Sequence, residues 1–202
     1  MGAAGCSCGD KEVSKAQLLL KETLGQLAKN DLSLLDLTGH SLGDTGAIVL
    51  ADALKGNSSL RTLCLRWNSI QERGASALAL ALQGTRLNSL DTYCNSFGNG
   101  GVQHLAKALQ GNRSLHHLDL GWNSIGDHGA ADLAELLAKN TYLSDLGLER
   151  NFVGDLGAQK LAAALQVNRS LLKLRLNGNP LGEAGTNGTI PGPCRGWRGK
   201  VA

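Results

Sequence analysis

Three tryptophans, two tyrosines and two phenylalanines are the only aromatic residues among 202, and there is a single methionine. Large rings in that supply cannot fill a core, so leucine, alanine, isoleucine and valine must do so in thin layers. The five cysteines, at 6, 8, 64, 94 and 194, fall into no paired framework. No basic start leads into an apolar run of about 7–15 residues, the mark of a secretory signal. Free thiols without an export signal point to the cytosol or nucleus. No apolar stretch approaches the ~20 residues of a membrane-spanning helix. Net charge is only +3, an excess that Arg195, Arg198 and Lys200 supply near the end. The body is near neutral and carries no basic stripe, so nucleic acid is not an expected partner.

What the chain does have is a repeat. Leucines at 32, 60, 87, 115, 143 and 171 each open a segment L-x-x-L-x-L, in steps of 28, 27, 28, 28 and 28 residues. A fixed period of this size signals a stack of supersecondary units rather than a globule. Alternation of apolar residues reads as a short strand with one buried face. The pairs are Leu35 and Leu37, Leu63 and Leu65, Leu90 and Thr92, Leu118 and Leu120, Leu146 and Leu148, Leu174 and Leu176. Asn68, Asn95, Asn123, Asn151 and Asn179 follow three positions later, with His40 in the first copy. A side-chain amide at a bend both donates to and accepts from backbone, so this column is structural. Glycosylation-like triplets begin at Asn57, Asn112, Asn168 and Asn187. The first three share one repeat position, where a turn accounts for them.

After each strand comes an apolar anchor (Leu42, Ile70, Phe97, Ile125, Val153, Leu181), then glycine at 46, 74, 101, 129, 157 and 185. The period then becomes helical, as in Leu50, Ala51 and Leu54 or Leu133, Ala134 and Leu137, which places these residues on one helix face. Asp44, Asp127 and Asp155 suit an N-cap or first turn. Helices are about twice as wide as the ~4.8 Å strand spacing, so the stack must curve with its strands inside. The expected fold is an α/β solenoid, a horseshoe segment with parallel strands concave and helices convex.

Asn123-Ser-Ile125-Gly-Asp127-His-Gly129-Ala130 is the cleanest copy, and over residues 32–185 the chain resembles the ribonuclease-inhibitor-like leucine-rich repeats. Similar arrays form the C-terminal part of NOD-like receptors. The resemblance implies a binding scaffold. It does not imply a nucleotide-driven receptor, because no G-x-x-x-x-G-K-[ST] loop is present.

Domain limits follow from the pattern. Residues 1–10 read as a flexible N-terminus, 11–31 as a capping helix, 32–185 as six repeats with the last truncated, and 186–202 as a Gly/Pro/Arg-rich disordered tail. Without a polar cap, the leucines of copies five and six are expected to be exposed at one end. Gly2 suits N-myristoylation, though cysteine stands where the usual motif has Ser or Thr, and Cys6 and Cys8 suit palmitoylation. The competing reading is a small-residue disordered terminus, and membrane association is expected only with acylation.

Recognition is expected on the concave face. Its strand positions carry Trp67, Tyr93 and Trp122, three of the seven aromatics, with Arg66, His117, Glu149 and Arg150 beside them. Stacked strands put Trp67 and Trp122 roughly 10 Å apart with Tyr93 between. Asp36, Asp91, Asp119 and Asp145 form an acidic column that suits a protein partner with a basic patch. Cys64, His117 and Asp119 resemble a nucleophile with a base. However, Cys64 and His117 stand on different strands, roughly 12 Å apart by ideal spacing, against a working distance of about 3 Å. A zinc site from Cys64, Cys94 and His117 fails similarly, since Cys94 and His117 occupy opposite ends of their strands. No catalytic residue, metal or cofactor is therefore expected. The leading reading is a nonenzymatic interaction scaffold. The others are a regulator of an enzyme or GTPase (inhibitor or activating factor) and a lipid-tethered membrane adaptor.

Overall fold

The computed structural model describes residues 22–182; Gly2, Cys6, Cys8, the start of the expected capping helix and the Gly/Pro/Arg-rich tail lie outside them. Residues 22–29 are helical and are called α1 here. Then strands and helices alternate: β1 (Leu34–Asp36), α2 (Gly43–Leu54), β2 (Thr62–Cys64), α3 (Glu72–Leu82), β3 (Ser89–Asp91), α4 (Gly98–Leu109), β4 (His117–Asp119), α5 (Asp127–Lys139), β5 (Asp145–Gly147), α6 (Asp155–Val167) and β6 (Lys173–Arg175). The strands form one parallel sheet in chain order. Register is repeat-exact, with Leu35, Leu63, Leu90, Leu118, Leu146 and Leu174 in one row. The fold is thus a leucine-rich-repeat solenoid with strands on its concave side.

Each strand is three residues long because only its central leucine needs to face the helices. The leucines of that row are buried, and each stabilises by roughly 2 kcal/mol relative to exposure. On the helix side Leu50, Leu78, Leu105, Leu133 and Leu161 close the same continuous core. Of the leucines expected to be exposed at the end of the array, Leu146, Leu165, Leu174 and Leu176 are buried in that core, whereas Leu156 and Leu172 are exposed.

The asparagine column behaves as its chemistry requires. Asn151 Nδ2 donates to the carbonyls of Leu120, Leu148 and Glu149, while its Oδ1 accepts from the amides of Asn123 and Ile125. Asn68 and Asn95 bond in the same way across the preceding interfaces. Thr92, standing where leucine is usual, is fully buried and gives its hydroxyl to the carbonyl of Asp119. A second column closes α1, α3, α4 and α5. Asn57, Asn112, Asn140 and Asn168 are buried and donate to the carbonyls of Leu27, Leu82, Leu109 and Leu137. Three of the glycosylation-like asparagines are therefore internal struts.

One expectation changes. The first-turn acids do not cap their own helices; they cap the next repeat's. Asp44 Oδ1 accepts from the amides of Gln71 and Gly74, and Asp127 Oδ1 from those of Gly154 and Gly157. Asn99 does the same for Gly126 and Gly129. Gly74, Gly129 and Gly157 have no side chain because the cap atom comes too near; a Cβ at Gly157 would lie 2.7 Å from Asp127 Oδ1. Where the preceding residue is the longer Glu72, α4 starts differently, from a helical Phe97 and a left-handed Gly98.

Candidate functional site

The side chains not consumed by this scaffold stand on the concave strands and on the two residues beyond each bend. The hydrogen-bond ladder runs on past the strands: the amides of Trp67, Cys94, Trp122 and Arg150 donate to the carbonyls of Tyr93, Gly121, Glu149 and Asn177. The rim therefore keeps the strand spacing of ~4.8 Å.

Every rim residue in that row is left-handed. Gly39 (φ 72°) and Gly178 (φ 76°) occupy the outer copies, where glycine tolerates the conformation. Between them stand Trp67 (φ 57°), Cys94 (φ 56°), Trp122 (φ 53°) and Arg150 (φ 53°). Each such residue costs about 1–2 kcal/mol relative to glycine. Trp67 is nevertheless 56% exposed and Trp122 44%, so little burial offsets that cost.

The three rings do not form one stack. Trp67 and Tyr93 meet with centroids 6.3 Å apart at 55°, and the guanidinium of Arg66 lies 4.8 Å from the Tyr93 ring centre. Tyr93 lies over Gly121, where a Cβ would come 2.6 Å from the ring. Trp122 stands instead beside Arg150, whose guanidinium is 5.8 Å from its ring centre. The Arg150 stem in turn packs where Gly178 has no side chain.

The acidic column is largely occupied from within the chain. Arg175 on β6 pairs with Asp145 on β5, with Asp119 on β4 at 3.2 Å, and with Glu149 beyond β5. Burial works against the guanidinium's charge, but Glu149, Asp145 and Asp119 outweigh it and hold the proton more firmly than usual. Asp91 faces Arg66 at 3.6 Å and accepts the Tyr93 amide. Burial, and then the charge of Asp119, pushes its carboxyl above the ordinary range. His117 is exposed, with Nδ1 3.8 Å from Asp145. These groups border a shallow recess of about 220 Å³ lined by Ser89, Asp91, His117, Asp119, Asp145 and Arg175. Asp36 stays apart, exposed on β1, and its carboxyl is held low by the Thr38 hydroxyl and amide.

All ten residues expected to bind a partner thus lie on one face. Trp67, Trp122 and Arg150 project from it, whereas Asp119, Asp145 and Glu149 are engaged with Arg175, a residue not singled out from sequence. The signal lay in Gly121, Gly147 and Gly178, side-chain-free positions next to long side chains on the following or preceding strand. Cys64 and Asp119 are separated by Asp91 in the register, two strands apart. Burial, then Asp36 and Asp91, pushes the Cys64 thiol up, and burial pushes Cys94 up. A nucleophilic thiolate needs the opposite shift.

Known proteins share the repeat. The family model described as "Leucine Rich repeat" matches residues 28–51, 56–79 and 111–134. Leucine-rich repeat-containing protein 45 of Gallus gallus is 36% identical over 89 residues, covering 43% of this chain and 13% of that protein. NACHT, LRR and PYD domains-containing protein 5 of Mus musculus is 40% identical over 81 residues, 39% of this chain and 7% of that protein. This chain therefore spans only a small part of either relative. Among solved structures, the tropomodulin C-terminal domain of Caenorhabditis elegans superposes with a TM-score of 0.63 at 15% identity, covering 74% of this chain and 92% of that one. A leiomodin-1 fragment, "Actin-Binding Site 2", gives 0.56 at 20% identity over 63% and 77%. Those likenesses show the fold. With the repeat matched in three copies and the parallel strands and convex helices in place, the described residues form an array of leucine-rich repeats, similar to those of the relatives named above.

Proposed function

We propose that this chain is a nonenzymatic protein-interaction scaffold that holds a protein partner on its concave face, with the rim as the main point of contact. One observation carries the reading. Trp67, Trp122 and Arg150 occupy left-handed positions where glycine costs least, and they are exposed there. Side chains kept against a conformational cost and with little burial are kept for something outside the fold. Trp and Arg are also the residue types that dominate interface energetics. The free thiols of Cys64 and Cys94 suit a cytosolic setting.

The partner with a basic patch, expected from the acidic column, finds less free negative charge than the sequence counts. Arg175 takes up Asp119, Asp145 and Glu149, and Arg66 faces Asp91. The test is affinity purification of the wild type beside Trp67→Gly and Trp122→Gly, glycine being chosen to suit the backbone. Proteins recovered with the wild type and lost with both variants support the reading; an unchanged set overturns it.

A further inference from the structure

The rim's own charges point to one kind of partner. Its twelve residues (38, 39, 66, 67, 93, 94, 121, 122, 149, 150, 177 and 178) include two cations, Arg66, which faces Asp91, and Arg150, and one acid, Glu149, which Arg175 already holds. No described carboxylate forms an ion pair with Arg150, and it is exposed. Both guanidinium groups lie against rings, Arg66 at Tyr93 and Arg150 at Trp122. A guanidinium held over a ring keeps an N–H edge for a carboxylate, which it binds in a two-point fork. Trp67 and Trp122 stand two rungs apart, roughly 10 Å, over the small Cys94, and Arg150 stands one rung further.

We propose that this rim docks an extended acidic peptide segment of a partner protein, with an apolar side chain between Trp67 and Trp122 and a carboxylate on Arg150. The inference rests on the concave-face reading and gives its partner a sign opposite to that of the acidic column beneath. A peptide is favoured over single-stranded nucleic acid because Asp36 and Asp91 lie on the adjoining strands. A phosphate at every residue would meet them, whereas isolated carboxylates meet only the arginines.

The test is fluorescence anisotropy of the full chain with a short labelled peptide alternating glutamate and leucine. The same peptide with lysine for glutamate and a labelled oligothymidylate serve as comparators. The acidic peptide is expected to bind at least about tenfold more tightly than the lysine peptide, and more weakly as salt is raised. Arg150→Gln reduces its affinity about tenfold, while Arg169→Gln, an exposed arginine away from the rim, leaves it unchanged. Equal or tighter binding of the lysine peptide, comparable binding of the oligonucleotide, or no acidic-peptide binding overturns the inference. The purification with Trp67→Gly and Trp122→Gly reports separately on the scaffold reading, so the two can fail independently.

Discussion

Arg175 reaches Asp119 two strands away because Gly147 leaves the strand between them bare. A Cβ at Gly147 would sit 2.5 Å from Arg175 Nη2, 2.8 Å from Asp119 Oδ1 and 2.9 Å from Glu149 Oε2. Gly147→Ala is therefore expected to push the guanidinium off its three carboxylates. The overpacking and the weakened partly buried ion pairs together cost about 2 kcal/mol. Urea unfolding of Gly147→Ala against wild type measures it. A loss near zero would mean that the network relaxes around the methyl group.

Asn151 makes five side-chain hydrogen bonds. Asn151→Ala leaves three carbonyls and two amides without that partner, several of them buried. The expected loss is about 3 kcal/mol. Asn177→Ala, at an exposed rim position, stays within about 0.5 kcal/mol of wild type. The same unfolding measurement distinguishes them.

Inter-repeat capping predicts an asymmetry between two acids at equivalent positions. Asp127→Ala removes the acceptor for the amides of Gly154 and Gly157 and costs about 1 kcal/mol. Glu72→Ala removes no hydrogen bond from the start of α4, which begins from Phe97 and Gly98 instead, and is expected to be close to neutral. Hydrogen exchange at the first turn of α6 and of α4 reads the difference directly.

Asp91 gives a pH signature. Burial, and then Asp119, raises its pKa, so the folded protein binds that proton more tightly than the unfolded chain does. As pH rises from the ordinary carboxylate value, near 3.9, through the folded one, Asp91 withdraws stability. Asp91→Asn lacks this contribution. The stability of wild type minus that of Asp91→Asn should therefore fall with rising pH across that window and level off above it. Denaturation series at several pH values test this; a difference that grows with pH would contradict the assignment.

Much of the architecture was legible from residue spacing alone. A leucine period of 27 or 28 residues set the strand row, and Leu-Ala-x-x-Leu set the helix face, because both depend on local periodicity. The caps were only half legible. Asp44 and Asp127 announce a helix start, but their oxygens go to the next repeat, a contact that local sequence does not encode. The acidic column was misjudged for a similar reason. Asp119, Asp145 and Glu149 look free until Arg175 is seen to cross Gly147. The left-handed rim was hidden as well, since only Gly39 and Gly178 mark it; Trp67, Cys94, Trp122 and Arg150 stand where their own preferences argue against that backbone.

Whether the rim tryptophans serve a partner and not the fold is read out by the Trp67→Gly/Trp122→Gly double variant. Its unfolding free energy, measured beside the alanine double variant, should be higher than that of alanine by about 1 kcal/mol per site and at or above that of wild type, with partner recovery lost. A glycine variant that unfolds as readily as the alanine one, or that retains the partner, would contradict the account.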